Sequence, residues 1–274
     1  MGRIGAVVVL TAVLAAVGAP WIAPYDPATQ DLALRLNGPT PGHPFGIDEL
    51  GRDILSRLLS GARISLLVGC VVVSVSAVVG VTLGSVAGYA GGWADDLISR
   101  LVDVLLAFPG ILLAIALVAV LGPSLTNVVI ALASIGWVGY ARLVRSQVLR
   151  TRELEFVQAA RALGAGTLRI LARHVIPTTL PAVVVQGTLG MAGAILAEAS
   201  LSFLGLGVQP PTPSWGTMLN GGRVHLLDAP HLTVFPGLAI ATLVLGFNFL
   251  GDGLRDALDP ATRTSDSQQE SSRA

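Results

Sequence analysis

Six apolar runs dominate this sequence, and each is long enough to cross a lipid bilayer. A membrane-spanning helix needs roughly 20 mostly apolar residues. Helices suit this environment because they satisfy their own backbone hydrogen bonds inside lipid. We therefore predict an all-α integral membrane protein with six transmembrane helices, at about residues 4–23, 64–90, 103–121, 125–141, 180–204 and 232–250.

The composition agrees with a membrane protein. Charged residues make up 12% of the 274 residues, against about 25% in soluble domains. The formal net charge is zero, so no overall basic field favours nucleic acid as a partner. All 17 basic residues are arginine. Because a phosphate-binding P-loop uses a lysine, we expect any ATP hydrolysis to come from another subunit.

The polar segments are too short to fold as separate domains with their own cores. We divide the chain into residues 1–63 (the first span and an outer segment), 64–251 (the other five spans) and 252–274 (a serine-rich tail predicted to be disordered). A cleaved signal peptide is the alternative for the first run. Pro20 beside the cleavage site and the many later spans favour an uncleaved helix.

The arginines predict the orientation. With both termini in the cytoplasm, twelve of the 17 arginines lie on that side, many of them between residues 142 and 173. The positive-inside rule favours this arrangement. The outer side then carries Arg35, Arg52, Arg57, Arg63 and Arg223.

Residues 143–178, here called the central segment, are polar within an otherwise apolar chain. The spacing of Leu154, Val157, Ala160 and Leu163 predicts one helix over residues 151–163. Gly164 ends it, since glycine tolerates the left-handed conformation. A second helix is predicted to follow, capped by Thr167 and ended by Pro177.

Three interpretations of the central segment are open on pattern alone. It is an amphipathic hairpin on anionic headgroups, a DNA-binding helix-turn-helix, or a docking element that inserts into a partner's groove. The DNA interpretation fits poorly with a chain that has no separate soluble domain.

Five long motifs narrow the choice. In chain order they are HPFGIDELGRDILSRLLSGARISL, YAGGWADDLISRLVDVLLAFPG, EFVQAARALGAGTLRILARHVIP, AEASLSFLGLGVQPPTPSWGTML and NFLGDGLRDALDP. Together they resemble the ABC-importer permeases of the peptide/nickel family, in particular the dipeptide- and oligopeptide-type "C" subunit. The resemblance spans nearly all of residues 1–260.

The resemblance implies a type I ABC-importer permease fold with a cytoplasmic coupling helix-turn-helix in the central segment. The motif's usual glutamate is Gln158 here, and Glu155, three residues earlier, is a candidate substitute. The residues that the resemblance assigns to ATPase coupling are Glu155, Gln158, Ala159, Ala160, Arg161, Gly164 and Pro177.

The resemblance also implies the partners. These are a second homologous permease, two ATP-binding subunits that hold ATP and Mg²⁺, an extracytoplasmic binding protein and the lipid of a bacterial cytoplasmic membrane. This chain itself would bind no cofactor and no nucleic acid. Di- or oligopeptides are the expected cargo, with nickel, glutathione or another small cargo as the alternative. A membrane-embedded enzyme or a lipid-surface scaffold is the alternative of a different class.

Within the spans, Gly80, Gly84 and Gly88 are spaced for close helix packing, with a role in a moving interface as the alternative. Glu198 is an ionisable group inside a span, where such groups face a pathway or a partner. We list Glu198 and Ser202 as pathway or gate candidates, against the alternative that Glu198 is simply hydrogen-bonded between helices. Pro109 is predicted to kink the third span.

The outer segments 43–63 and 208–216 are predicted to contact the binding protein, or to be rigid loops over the outer mouth. No metal site is predicted, because the four histidines match no tight ligand spacing. No nucleophile triad or pair of catalytic acids is apparent either. The histidines are His43, His174, His225 and His231.

Overall fold

The computed structural model describes residues 1–258, and within this range it is helical, with no β-strand beyond two isolated bridges. Short 3₁₀ turns occur at Leu32–Leu34 and Arg223–His225, and a π-helical turn occupies Leu171–Val175. The α-helices are α1 (Gly2–Ile22), α2 (Ile54–Ala90), α3 (Gly92–Leu106), α4 (Gly110–Leu121), α5 (Leu125–Thr151), α6 (Glu155–Ala162), α7 (Thr167–Ile170), α8 (Ile176–Phe203), α9 (Trp215–Gly222) and α10 (His231–Leu258).

Five continuous helical stretches are long and apolar enough to cross a membrane, and α3 and α4 meet the same criterion only when taken together as one bent pair. The all-α membrane fold is therefore confirmed. The third span was predicted as one helix over 103–121 with a kink at Pro109, and this prediction was wrong. The two helices meet at 86°, and Pro109 is the residue that precedes α4. Proline has no backbone N–H to donate, so it begins a new helix here.

Several helix ends also differ from prediction. Helix α2 begins ten residues early because Asp53 caps it, with its carboxylate accepting the backbone N–H of Ser56 at 2.8 Å. Helix α5 continues to Thr151. Residues 252–258, predicted as part of the tail, continue α10. The rest of the predicted tail, 259–274, lies outside the described residues.

A glycine seam joins α2 to α5. A Cβ atom at Gly84 would lie 2.5 Å from the carbonyl oxygen of Ala141, and one at Gly88 would lie 2.9 Å from that of Arg145. A Cβ atom at Gly80 would lie 2.6 Å from the carbonyl oxygen of Trp137. The partner residues advance along α5 as the glycines advance along α2, so the two helices run parallel and touch backbone to backbone.

Helices α1 and α10 run antiparallel, with Gly2 beside Gly253. Gly251 in turn contacts Thr188 in the first half of α8. The start of α1 and the end of α10 therefore lie at the same end of the bundle as α6 and α7. We call this the α6 end. The opposite end, which holds residues 23–53 and 204–230, is the α9 end.

We predict that Gly84→Ala destabilises the helical bundle by about 1–3 kcal/mol, since the added methyl overpacks the seam. The matched control is Gly237→Ala in α10, where a Cβ atom meets nothing within 4 Å and alanine favours the helix. Apparent melting temperatures in mild detergent compare the two variants. Equal melting temperatures would show that the seam does not hold the helices together.

Candidate functional site

Helix α6 of the central segment ends in a complete Schellman motif. The N–H of Ala165 donates to the carbonyl of Ala160 at 3.1 Å, and the N–H of Gly164 donates to that of Arg161 at 3.0 Å. Gly164 has φ +81°, the left-handed conformation that this motif requires and that glycine adopts without strain. The predicted role of Gly164 in ending the helix is confirmed.

Two fully buried side chains fasten the central segment to the bundle. Val157 of α6 and Ile170 of α7 are 0% and 1% exposed. They share an apolar cluster with Val144 and Val148 of α5, and with Val175 before α8. Burying a side chain of this size contributes about 1.5–3 kcal/mol. The two short helices are therefore packed onto the ends of α5 and α8.

Other apolar side chains of the central segment face outward. Leu163 is 88% exposed and Leu168 is 80% exposed, one on each side of the Gly164 turn. Leu154 and Phe156 are exposed to a smaller extent. These four residues form what we call the tip patch. Clustered exposed apolar residues mark interaction sites. The predicted apolar face of α6 is divided, because Val157 and Ala160 face the bundle while Leu154 and Leu163 belong to the tip patch.

The remaining coupling candidates lie around the tip patch. Glu155 and Ala159 are exposed, and Ala160 is half-buried against the bundle. Gln158 is exposed and donates through Nε2 to the carbonyl of Glu153 at 3.1 Å. Arg161 lies over the ring of Tyr89, 5.6 Å from the centroid, and donates to its hydroxyl at 3.3 Å.

Three predictions for this segment were wrong. Helix α6 spans Glu155–Ala162 rather than 151–163, because α5 runs on to Thr151 and a turn at residues 152–154 separates the two. The second helix is preceded by Gly166, without a side-chain cap from Thr167. It also does not end at Pro177, which lies exposed in the first turn of α8. The π-helical turn at Leu171–Val175 joins α7 to α8 in one helical path.

Glu198 lies in a closed polar cluster. Its carboxylate accepts hydrogen bonds from Ser202 at 2.7 Å and Ser65 at 3.3 Å, and all three side chains are fully buried. Ser65 belongs to α2, and Ser202 also contacts the loop through the N–H of Val208 at 3.4 Å. In this conformation the group ties α2 to α8, and Glu198 has no exposure to a cavity.

A charged network organises the α9 end. The Asp48 carboxylate accepts a hydrogen bond from Nε of Arg52 at 2.7 Å. Nε of Arg57 lies 3.3 Å from the same carboxylate, at an angle that makes no hydrogen bond. Asp53 contacts His43 at 2.9 Å. These side chains, His43 excepted, are buried. Helix α9 is held to α2 by the Trp215 indole, which donates to the carbonyl of Leu58 at 2.9 Å.

Sequence reasoning missed two contacts that brace α5 at the α6 end. Arg145 forms a bidentate ion pair with Asp95 of α3, at 2.5 and 2.7 Å. Arg152 donates to the carbonyl of Gly88 at 2.9 Å. The first pair is 50 residues apart in sequence, so no local pattern signals it.

The histidines do not converge. His225 pairs with Asp228 at 3.0 Å, and His174 lies near Phe156 in the central segment. Among residues 1–258, no three His, Cys, Asp or Glu side chains are grouped in a way that would hold a metal ion.

Comparison with known proteins identifies the architecture. Residues 80–264 match the family described as binding-protein-dependent transport system inner membrane component, and residues 1–39 match the N-terminal transmembrane domain of oligopeptide transport permease C. The chain belongs to this family of ABC-importer permeases. The resemblance seen in the motifs is thereby confirmed.

Two relatives are similar to this permease over 95% of its chain and 86% of theirs. The dipeptide transport system permease protein DppC of Alkalihalophilus pseudofirmus is 48% identical to it. The glutathione transport system permease protein GsiD of Escherichia coli O6:K15:H31 is 52% identical. Among solved structures, an inward-facing MetNI methionine ABC transporter shares the fold, with a TM-score of 0.62 and 18% sequence identity. The match covers 75% of this permease and 98% of that chain.

For the permease, we predict different outcomes for two Glu198 variants. Glu198→Gln keeps an oxygen acceptor and the side-chain length, so its melting temperature should stay near the wild-type value. Glu198→Leu leaves the hydroxyls of Ser65 and Ser202 without their acceptor, which costs about 1–3 kcal/mol. Thermal unfolding in detergent measures both. A Glu198→Leu variant as stable as the wild type would contradict the structural role. A stable Glu198→Gln variant that has lost transport would instead favour the gate.

Proposed function

We propose that this permease forms part of the membrane channel of an ATP-driven importer for short peptides, paired with a second homologous permease. The single observation that carries the coupling mechanism is the geometry of the central segment. Val157 and Ile170 fasten it to α5 and α8, while Leu163 and Leu168 stand exposed at the tip patch. A segment that is packed firmly on two membrane spans and exposes an unpartnered apolar tip is suited to transmit force between subunits.

The α6 end is proposed to face the cytoplasm of a bacterium, with both termini on that side. Support comes from the arginines of the central segment and of α5, such as Arg142, Arg145 and Arg150. The positive-inside rule favours a cytoplasmic location for such a cluster. The α9 end, with the buried Asp48 network and the segment 208–216, would then face the binding protein that delivers cargo.

Two ATP-binding subunits are proposed to hold the tip patches of the two permeases and to bind ATP and Mg²⁺ themselves. When ATP draws those subunits together, the central segment moves and carries α5 and α8 with it, which changes access to the channel. Glu155, Gln158 and Arg161 surround the tip patch with polar groups. Gln158 offers hydrogen bonds but no charge, so Glu155 and Arg161 carry any ion pairs to the ATP-binding subunit.

The relatives support peptide as the cargo, because one is named for dipeptide transport and another for glutathione, which is itself a short peptide. We test this by uptake into liposomes that contain the permease, its second permease, both ATP-binding subunits and the binding protein. We expect ATP-dependent entry of labelled alanyl-alanine or glutathione, and no entry of Ni²⁺. Entry of Ni²⁺ without either peptide would overturn the peptide assignment and leave the importer assignment standing.

We predict that Gly164→Val abolishes uptake while the protein still inserts in the membrane. A β-branched residue at φ +81° strains the Schellman turn by about 1–2 kcal/mol and misplaces Leu163. The matched control is Gly166→Val, because Gly166 has φ −70° and its Cβ would also meet nothing within 4 Å. Similar uptake by the two variants would count against the turn as a coupling element.

We further predict that Leu163→Asp prevents the ATP-binding subunits from co-purifying with the permease, since it places a charge in the apolar centre of their contact. Leu227→Asp is the control, because Leu227 is fully exposed at the α9 end. Affinity purification in mild detergent measures both. Retention of the ATP-binding subunits by Leu163→Asp would contradict docking at the tip patch and favour the lipid-surface alternative.

A further inference from the structure

A groove with a volume of about 260 Å³ lies between α2, α4, α5 and α8, near the middle of the longer helices. It exists because small residues line it, including Gly136, Gly190 and Gly193. A Cβ atom at Gly193 would meet nothing within 4 Å, so the hollow is open there. Its volume is slightly below the range of ligand pockets, which runs from roughly 300 to 1,000 Å³.

Three uncharged polar side chains line this groove. Ser76 is 1% exposed, and its hydroxyl has no hydrogen-bond partner. The side-chain amide of Gln186 is half-buried and likewise makes no hydrogen bond within the part of the chain that the structure describes. The Tyr140 hydroxyl reaches from α5 to the backbone carbonyl of Gln186 at 3.4 Å. The described lining residues include no acidic, basic or histidine side chain.

Unpaired polar groups at this depth are costly unless a partner satisfies them. An amide on α8 and a hydroxyl on α2 match the donors and acceptors of a peptide backbone. We propose that the groove is this permease's part of the cargo path, and that Ser76 and Gln186 hydrogen-bond to the amide groups of the passing peptide. This inference rests on the proposed peptide function and adds the residues that receive the cargo.

The position of the groove links it to the central segment. Tyr140 belongs to α5, which leads into α6, and Gln186 belongs to α8, which follows α7. The Tyr140–Gln186 contact therefore spans the two helices that the central segment would move. A movement of the central segment that reaches α5 and α8 would therefore also reach this contact and the groove beside it.

The first test is selective uptake by Gln186→Leu in the complete reconstituted importer. The probes are alanyl-alanine and alanyl-lactate, in which an ester replaces the amide and so lacks the N–H donor. We expect the ratio of amide uptake to ester uptake to be about fivefold higher in the wild type than in Gln186→Leu. A factor of this size is the effect of one uncharged hydrogen bond. Binding-protein-stimulated ATP hydrolysis should persist in the variant. The matched control is Gln147→Leu, a glutamine of α5 outside the groove.

Ser76→Ala should lower alanyl-alanine uptake in the same assay. Its control is Ser134→Ala, because the Ser134 hydroxyl donates to the carbonyl of Ala131 in its own helix at 2.9 Å and does not line the groove. An unchanged amide-to-ester ratio in Gln186→Leu would overturn the inference. Equal losses of uptake and of binding-protein-stimulated ATP hydrolysis in Gln186→Leu would also overturn it, because they indicate a structural role. If the wild type takes up neither peptide, the proposed function itself fails and the inference falls with it.

A second test asks what occupies the groove. In a Cys70→Ala background, Gly193→Cys places a thiol in the open part of the groove. Leu196→Cys, one turn further along α8, lines a separate apolar cavity and serves as the control. A charged, membrane-impermeant thiol reagent should modify the Gly193→Cys importer faster, and alanyl-alanine with its binding protein and ATP should slow that modification. Equally slow reaction at both positions would show that lipid or a helix of the second permease fills the groove, and would overturn the inference.

Discussion

The apolar contact between the central segment and the ends of α5 and α8 is the interaction on which the rest of this account depends. Val157 and Ile170 are buried against Val144 and Val148, so two short helices that would be marginal alone are fixed to two membrane spans. The Arg152 contact with the carbonyl of Gly88 and the Arg145–Asp95 ion pair brace the same region. In the proposed mechanism, force applied at Leu163 or Leu168 is transmitted to α5 and α8 through this packing.

The two ends of the bundle are built differently, and the difference fits their proposed tasks. At the α6 end, backbone turns present apolar side chains around Gly164. At the α9 end, buried charges around Asp48 hold residues 43–57 as one unit, and the Trp215 bond to Leu58 holds α9 to α2. The Glu198 cluster lies beneath this end and joins α2 to α8. Between them, the glycine seam lets α2 and α5 approach closely, and the groove lies between α2, α4, α5 and α8 near the middle of the longer helices.

Much of the fold could be predicted from the sequence. The length of the apolar runs predicts the membrane spans, and the left-handed conformation at the end of α6 favours glycine at position 164. The errors have physical reasons. The rule that proline ends helices fails at Pro177, because the π-helical turn that precedes it has already replaced the regular i→i−4 bonds, with the N–H of Ile176 donating to the carbonyl of Leu171. The 86° break between α3 and α4 and the Asp95–Arg145 pair depend on tertiary packing. The enclosure of Glu198 by Ser65 and Ser202 likewise has no local signature.

The central claim is that the tip patch docks onto an ATP-binding subunit. The most direct measurement replaces Leu163 with the photoreactive amino acid p-benzoylphenylalanine, irradiates the assembled importer in its membrane, and identifies what becomes attached. The account predicts a covalent product with the ATP-binding subunit whose yield changes when ATP is added. Attachment to lipid alone, with the ATP-binding subunits present in the same membrane, would contradict it and would identify the central segment as a lipid-surface hairpin.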